Sequence, residues 1–272
     1  MRIAHLSDLH FGRRISRANL QALERDLMAQ APELLVVTGD LTDRGTIEQF
    51  RSAKEFFRSV GLPFISVPGN REIAVSAVLE WVLPTWLAMR RYSSFFGQMD
   101  RVVYVEESRR ILFIGLNSVH WFPSWPGRIS RPTRYWLRAF AAEHSSYTKI
   151  LFLHHPVLPV IRASSFWAHA LSDAGEVLNI CTQTGFDLIL QGHKHRSAVM
   201  EVNVPQRDSR IVVSCGGAPL MSIWDPVYHV IDISEQSIAV KTREFSQTDF
   251  VQIGAYEFPR VRTNNCSHSE RE

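Results

Sequence analysis

Asp8, His10, Asp40, Asn70, His154, His193 and His195 are the residues of this chain whose types and spacing could do chemistry. Carboxylates, imidazoles and one amide oxygen, with no thiolate among them, suit two divalent first-row ions such as manganese, iron or zinc. Asp8-Leu9-His10 and His193-Lys194-His195 each hold two donors two positions apart. In extended backbone such residues point the same way, so each pair is expected to face one metal centre. Asp40 is expected between the two ions, where a bridging carboxylate offsets the repulsion of two dications. Taken singly, each member has a plainer reading: Asp8 or Asp40 caps a helix, and His154 is a hydrogen-bonded strand-end histidine. Their shared position at strand ends, in chain order, is what sets them apart.

The elements that must position them follow from apolar patterning. Ile3 to Leu6 reads as a short buried strand ending at Ser7-Asp8. A helix over Ser16 to Gln30 carries Ala18, Leu20, Leu23, Leu27 and Met28 on one face. The run Leu34-Leu35-Val36-Val37 stops at Gly39-Asp40, a helix from Thr46 to Val60 closes on Gly61, and Pro63 to Val67 leads to Gly69-Asn70. Strand and helix in alternation imply a parallel sheet, whose carboxyl strand ends are where ligands sit. Further on, Val102 to Glu106, Ile111 to Leu116, Ile150 to Leu153 and Phe186 to Leu190 read as strands, with helices over Pro132 to His144 and Ser172 to Thr184. From Ala198 to Phe245 the pattern is β throughout, and the tail at 262–272 is polar and expected to be disordered.

The ordered blocks Asp8-Leu9-His10, Gly39-Asp40, Gly69-Asn70-Arg71-Glu72, His154-His155-Pro156 and Gly192-His193-Lys194-His195 resemble those of the calcineurin-like metallophosphoesterase superfamily. The resemblance implies an α/β fold, a four-layer α-β-β-α sandwich of mixed sheets with flanking helices, in a single domain over 1–261. It places the β-rich remainder in the second sheet. It implies one metal held by Asp8, His10, Asp40 and His195, and a second by Asp40, Asn70, His154 and His193, with Asp40 also counted as catalytic. His154 is preferred to His155 because the family ligand lies two residues before the proline. The family's block reads Gly-Asn-His, and here the histidine is Arg71. A guanidinium does not lose a proton in the working range, so Arg71 cannot be the acid that protonates a leaving oxygen, although it can bind phosphate charge bidentately. His120 and His155 stand as candidates for the acid.

The activity implied is a dinuclear-metal-dependent phosphohydrolase that cleaves a pyrophosphate or phosphodiester bond with metal-activated hydroxide. Gly-Asn-Arg-Glu is similar to the block of UDP-diacylglucosamine pyrophosphohydrolases, which implies a lipid-linked nucleotide as substrate. Asp43-Arg44-Gly45 is similar to the cyclic-nucleotide phosphodiesterase branch instead, and a non-catalytic metal-binding homologue is a third alternative. Ile73 to Met89 is apolar apart from Glu80, is divided by Pro84 and is closed by Arg90-Arg91. It is expected either as a helical hairpin on the core or, over 73–91, as a lid-like segment with peripheral membrane contact.

Composition sets the remaining bounds. A chain of 272 residues with 45% hydrophobic content can bury a sizeable core. A net charge of +3, with no basic stripe interleaved with aromatics, argues against nucleic acid as partner and leaves a phosphate-containing small molecule. Met1 runs directly into the first strand, which predicts no secretory signal. Apolar runs fall short of the roughly 18–20 residues that span a bilayer. Cys181, Cys215 and Cys266 are odd in number and widely separated, so they read as reduced thiols in a cytoplasmic protein.

Overall fold

The computed structural model describes residues 1–13, 15–73, 87, 89–97, 99–120, 126–160, 171–204, 209–221 and 225–260. The apolar segment expected as a lid or hairpin therefore lies almost wholly outside the described residues, as do Cys266 and the 262–272 tail. Its two ends are described: Ile73 and Met89 are buried together against Val119.

Two mixed sheets face each other. The first has the order β12-β11-β10-β1-β2-β3 and the second β4-β5-β6-β7-β9-β8. β1 (Arg2–Leu6), β2 (Leu34–Val37) and β3 (Phe64–Ser66) run parallel in the first. β5 (Ile111–Leu116), β6 (Thr148–Leu153), β7 (Leu188–Gln191) and β9 (Ser209–Cys215) run parallel in the second, where β4 (Arg101–Glu106) and β8 (Ala198–Val204) pair antiparallel to the edge strands of that set.

Side-chain alternation explains the layering. In β2, Leu34 and Val36 join the core between the sheets, whereas Leu35 and Val37 join the core beneath α1 (Arg17–Gln30) and α2 (Ile47–Val60). In β6, Ile150 and Phe152 point to the inter-sheet core, while Leu151 and Leu153 pack under α4 (Arg131–Glu143) and α5 (Ala174–Thr184). A strand covered on both faces must be apolar at every position, which is why these segments read as continuous runs. The result is the expected four-layer α-β-β-α arrangement. A short helix, α3 (Arg90–Phe96), adds Tyr92 to the first helical layer and ties it to β3 through a 2.8 Å hydrogen bond between Tyr92 Oη and Ser66 Oγ.

One expectation is corrected. The C-terminal β region does not all enter the second sheet. Only β8 and β9 do so; β10 (Val227–Ile233), β11 (Ser237–Ser246) and β12 (Asp249–Pro259) return to the first sheet. β10 pairs antiparallel with β1, Ala4 opposite Val230 and His5 opposite His229. β10 is largely buried on both faces, with Tyr228 and Val230 outward and Ile231 and Ile233 inward, as a strand in mid-sheet requires.

Candidate metal centre

The carboxyl ends of parallel strands from both sheets meet at one place. Asp8 and His10 follow β1, Asp40 follows β2, Asn70 follows β3, His154 follows β6, and His193 and His195 follow β7. The loops are tied laterally: Asp8 N–H donates to the Gly39 carbonyl at 3.0 Å, His10 N–H to that of Asp40 at 3.0 Å, and Gly192 N–H to that of His154 at 3.0 Å.

The backbone here is not extended, contrary to the expectation for the paired donors. Asp8 (φ 52°), His10 (φ 49°), Asp40 (φ 50°), His193 (φ 73°) and His195 (φ 53°) all lie in the left-handed region. For a residue with a Cβ this conformation costs about 1–2 kcal/mol. Such strain persists where the surroundings over-determine it, and functional sites are where it collects. The paired donors do converge, but through alternating left-handed turns rather than a strand face.

Two groups of donor atoms result. One atom from each of Asp8, His10, Asp40 and His195 lies within 4.8 Å of the others, and the same holds for Asp40, His154 and His193. In the first group His10 Nε2 stands 2.9 Å from His195 Nε2 and 3.6 Å from Asp40 Oδ2, and His195 Nε2 stands 3.3 Å from Asp8 Oδ1. In the second, His154 Nε2 is 3.1 Å from Asn70 Oδ1, 3.1 Å from His193 Nδ1 and 3.4 Å from Asp40 Oδ1. Asp40 thus turns one oxygen to each group, the geometry of a bridging carboxylate.

Hydrogen bonding from behind aims Asp8 and His154. Asp8 Oδ2 accepts from the Ser7 hydroxyl at 2.6 Å and from His193 N–H at 2.9 Å. Its other oxygen, Oδ1, is buried and has no hydrogen-bond partner among the described residues. His154 Nδ1–H donates to the Thr38 carbonyl at 2.7 Å, so Nε2 carries the lone pair. That lone pair faces the oxygens of Asn70 and Asp40 across about 3 Å. A cation among such acceptors relieves their repulsion, and the hydrogen-bonded back atoms are the usual support for metal ligands. The residues present therefore fit two divalent ions held by oxygen and nitrogen.

Electrostatics follow from burial. Burial would raise the Asp8 carboxyl, but His195, with His154 and His10, outweighs it and holds Asp8 below the usual carboxylate range. Burial, reinforced by His154 and His155, lowers His193 well below an ordinary imidazole, and burial likewise lowers His10. His195 is raised because Asp8 overcomes the opposing effect of burial. The lowered His10 and His193 imidazoles and the lowered Asp8 carboxyl favour the protonation states that ligation needs, whereas His195, beside Asp8, must give up a proton to ligate.

Glu72 is a structural tie that the sequence did not single out. Its carboxyl accepts from Thr42 N–H at 2.9 Å, from the Thr42 hydroxyl at 3.0 Å and from Gly69 N–H at 2.7 Å, clamping the loop after β2 to the loop after β3. Burial, with Asp40 nearby, pushes it up to about 8. The sequence signal was its place in the Gly-Asn-Arg-Glu block. Thr38 acts through its carbonyl, so no side-chain motif could have found it.

Arg71 is exposed, and its backbone N–H donates to Asp40 Oδ1 at 2.9 Å. His155 is buried beside the second group, its ring centroid 4.7 Å from that of His193 and its Nδ1 2.9 Å from Ser118 Oγ. His120 is exposed.

The family model for calcineurin-like phosphoesterases matches residues 1–197, which hold all seven donors. A probable glycerophosphodiester phosphodiesterase of Arcobacter nitrofigilis is 30% identical over 47% of this chain and 44% of its own length. The chain thus matches less than half of that relative. A probable cyclic nucleotide phosphodiesterase of Synechococcus is 26% identical over 72% of this chain and 74% of its own. The crystal structure of a dimetal phosphatase from Danio rerio superposes with a TM-score of 0.60 at 11% identity, covering 93% of this chain and 98% of that one, a likeness of fold.

Proposed function

Because the chain belongs to the calcineurin-like phosphoesterase family, we propose that it hydrolyses a phosphodiester of a small alcohol at a dinuclear metal centre. The observation that carries this is Asp40, with Oδ2 on the His10 side and Oδ1 on the His154 side. Asp8, His10, Asp40 and His195 would hold one ion and Asp40, Asn70, His154 and His193 the other, with manganese first and iron or zinc as alternatives for such donors. Two divalent ions bound there would supply Lewis acidity for phosphoryl oxygens and for lowering the pKa of a water. The names of the Arcobacter and Synechococcus relatives support a diester as substrate.

Arg71 follows Asn70 and is exposed; its guanidinium would bind the charge that develops on the phosphate, and it has no proton to give a leaving oxygen. That favours a second reading: a lipid-linked nucleotide such as UDP-diacylglucosamine, whose pyrophosphate releases an already stable anion. Peripheral membrane contact through 73–91 belongs to this reading. Among the described residues no helix is long and apolar enough to cross a membrane.

Purified protein with manganese should be compared on a glycerophosphodiester, cyclic AMP, UDP-diacylglucosamine and bis(p-nitrophenyl) phosphate. Turnover of diesters that Asn70→Ala abolishes is the expected result. Turnover confined to UDP-diacylglucosamine would favour the second reading. A metal-loaded protein inert toward all four would make the chain a non-catalytic metal-binding homologue and overturn both.

A further inference from the structure

Behind the metal centre, in the otherwise apolar space between the sheets, two imidazoles are fully buried. His5 on β1 and His229 on β10 sit opposite each other in the strand register with ring centroids 6.2 Å apart. Val36 lies opposite His5 in the register with β2, and Ile3 and Ile231, on the same strands, belong to the inter-sheet core. Burial, with His229 beside it, holds His5 well below its usual range, and burial pushes His229 down to about 4, so both rings are neutral near pH 7.

Their hydrogen bonds form one continuous chain with a consistent polarity. The Thr38 hydroxyl donates to the Leu6 carbonyl at 3.4 Å, so its oxygen accepts from His5 Nε2–H at 3.0 Å. His5 Nδ1 is then an acceptor and takes the Ser214 hydroxyl at 2.9 Å. Ser214 Oγ accepts in turn from His229 Nδ1–H at 2.7 Å, and His229 Nε2 accepts from the Ser197 hydroxyl at 2.7 Å. Every ring nitrogen is used. Gly216 confines the arrangement, since a Cβ there would meet His5 Cε1 and Nε2 at 3.2 Å.

The two ends of this chain lie next to candidate ligands. Ser197 borders a cleft of about 290 Å³ that His195 also lines. Thr38, at the other end, offers its carbonyl to His154 Nδ1–H at 2.7 Å and so sets the direction of the His154 lone pair. For stability alone the device has little to offer. A fully satisfied buried polar pair is close to neutral against apolar side chains of the same shape, while any one partner left unsatisfied is destabilising.

We propose that Ser197, His229, Ser214, His5 and Thr38 are positioning residues, a buried chain that fixes the Thr38 peptide and through it the orientation of His154 as a ligand. This rests on the ligand assignment above. Its consequence is selective: the ion held by Asp40, Asn70, His154 and His193 should depend on the chain, and the ion held by Asp8, His10, Asp40 and His195 should not.

The test is calorimetric titration of the full chain with Mn²⁺ alone, comparing wild type with Thr38→Val, His5→Phe, His5→Gln and Asn70→Ala. Thr38→Val keeps the carbonyl and the side-chain shape and removes only the hydroxyl, so it decides the matter should His5→Phe not fold. Loss of support behind a ligand typically weakens metal binding about 10–100-fold. That loss is expected in one of two equivalents for Thr38→Val and His5→Phe, with the other equivalent unchanged and partial recovery in His5→Gln. If Asn70→Ala weakens one equivalent while Thr38→Val binds both as wild type does, the chain is core packing and the proposal falls, although the ligand assignment stands. If Asn70→Ala leaves both equivalents untouched, the ligand assignment itself fails.

Discussion

The Cβ that Gly69 lacks would fall 2.2 Å from Asp40 Oδ1 and 2.3 Å from Asp40 N. The loop after β3 therefore rests directly on the carboxylate that faces both donor groups. Gly69→Ala should displace Asp40 by a large fraction of an ångström. A misplacement of about 1 Å can cost on the order of 100-fold in rate. The expected outcome is a folded protein with at least that loss of turnover and weakened binding of both ions, measured by circular dichroism, steady-state assay and metal titration. A Gly69→Ala protein with wild-type turnover would remove Asp40 from the centre of the mechanism.

Arg71 gives a prediction about leaving groups. Arg71→Ala should lower kcat/KM about 10-fold or more on a pyrophosphate substrate, because the fixed cation on the phosphate is lost. Arg71→His, which restores a titratable group beside Asn70, should gain on diesters with poor leaving groups and change little on bis(p-nitrophenyl) phosphate, whose leaving group needs no proton. Equal effects of both variants on all substrates would contradict a role for the guanidinium in leaving-group preference.

Stability has a separate focus beneath α1. Asp26 there is buried, accepts from Tyr228 Oη at 2.5 Å and pairs through both oxygens with Arg243, whose guanidinium also donates to the Phe250 carbonyl at 2.7 Å. Removing the cation leaves a buried carboxylate without its counter-charge, a change that costs about 3–5 kcal/mol. Arg243→Met should therefore lower the unfolding free energy by roughly that amount in urea denaturation. Asp26→Asn with Arg243→Met together should recover part of it. No recovery in the double variant would mean that the loss was one of packing, not of charge.

The buried imidazoles predict the sign of a pH dependence. His229 titrates near 6.5 when unfolded and near 4 when folded, because burial disfavours its charged form. Between those values the unfolded chain binds more protons, so this group's contribution is full above about 6.5 and is lost as pH falls through 4. The gap in unfolding free energy between wild type and His229→Gln should narrow as pH is lowered across that window. A gap that stays constant would mean that His229 is not held neutral.

Much of this was legible because burial on both faces leaves a plain record. Leu34 to Val37 and Ile150 to Leu153 are apolar at each position, since alternate residues enter different cores. β12 was not legible: most of its residues are exposed, and a register irregularity opposite Thr242 and Arg243 breaks its alternation. Nor did local pattern show that β10 to β12 return to the first sheet, because pairing with β1 depends on contacts more than 200 residues apart in sequence, as between Arg2 and Asp232. At the site the seven donors could be named from type and order. Their left-handed backbone could not, because aspartate and histidine carry no glycine-like mark of positive φ.

The most direct test of the whole account is to count ions and turnover together. Wild-type protein titrated with Mn²⁺ should take up two equivalents per chain, hydrolyse bis(p-nitrophenyl) phosphate only when both are bound, and lose both properties on Asp40→Ala. Hydrolysis that persists in Asp40→Ala, or a wild type that turns over fully with a single ion, would contradict a centre bridged by Asp40.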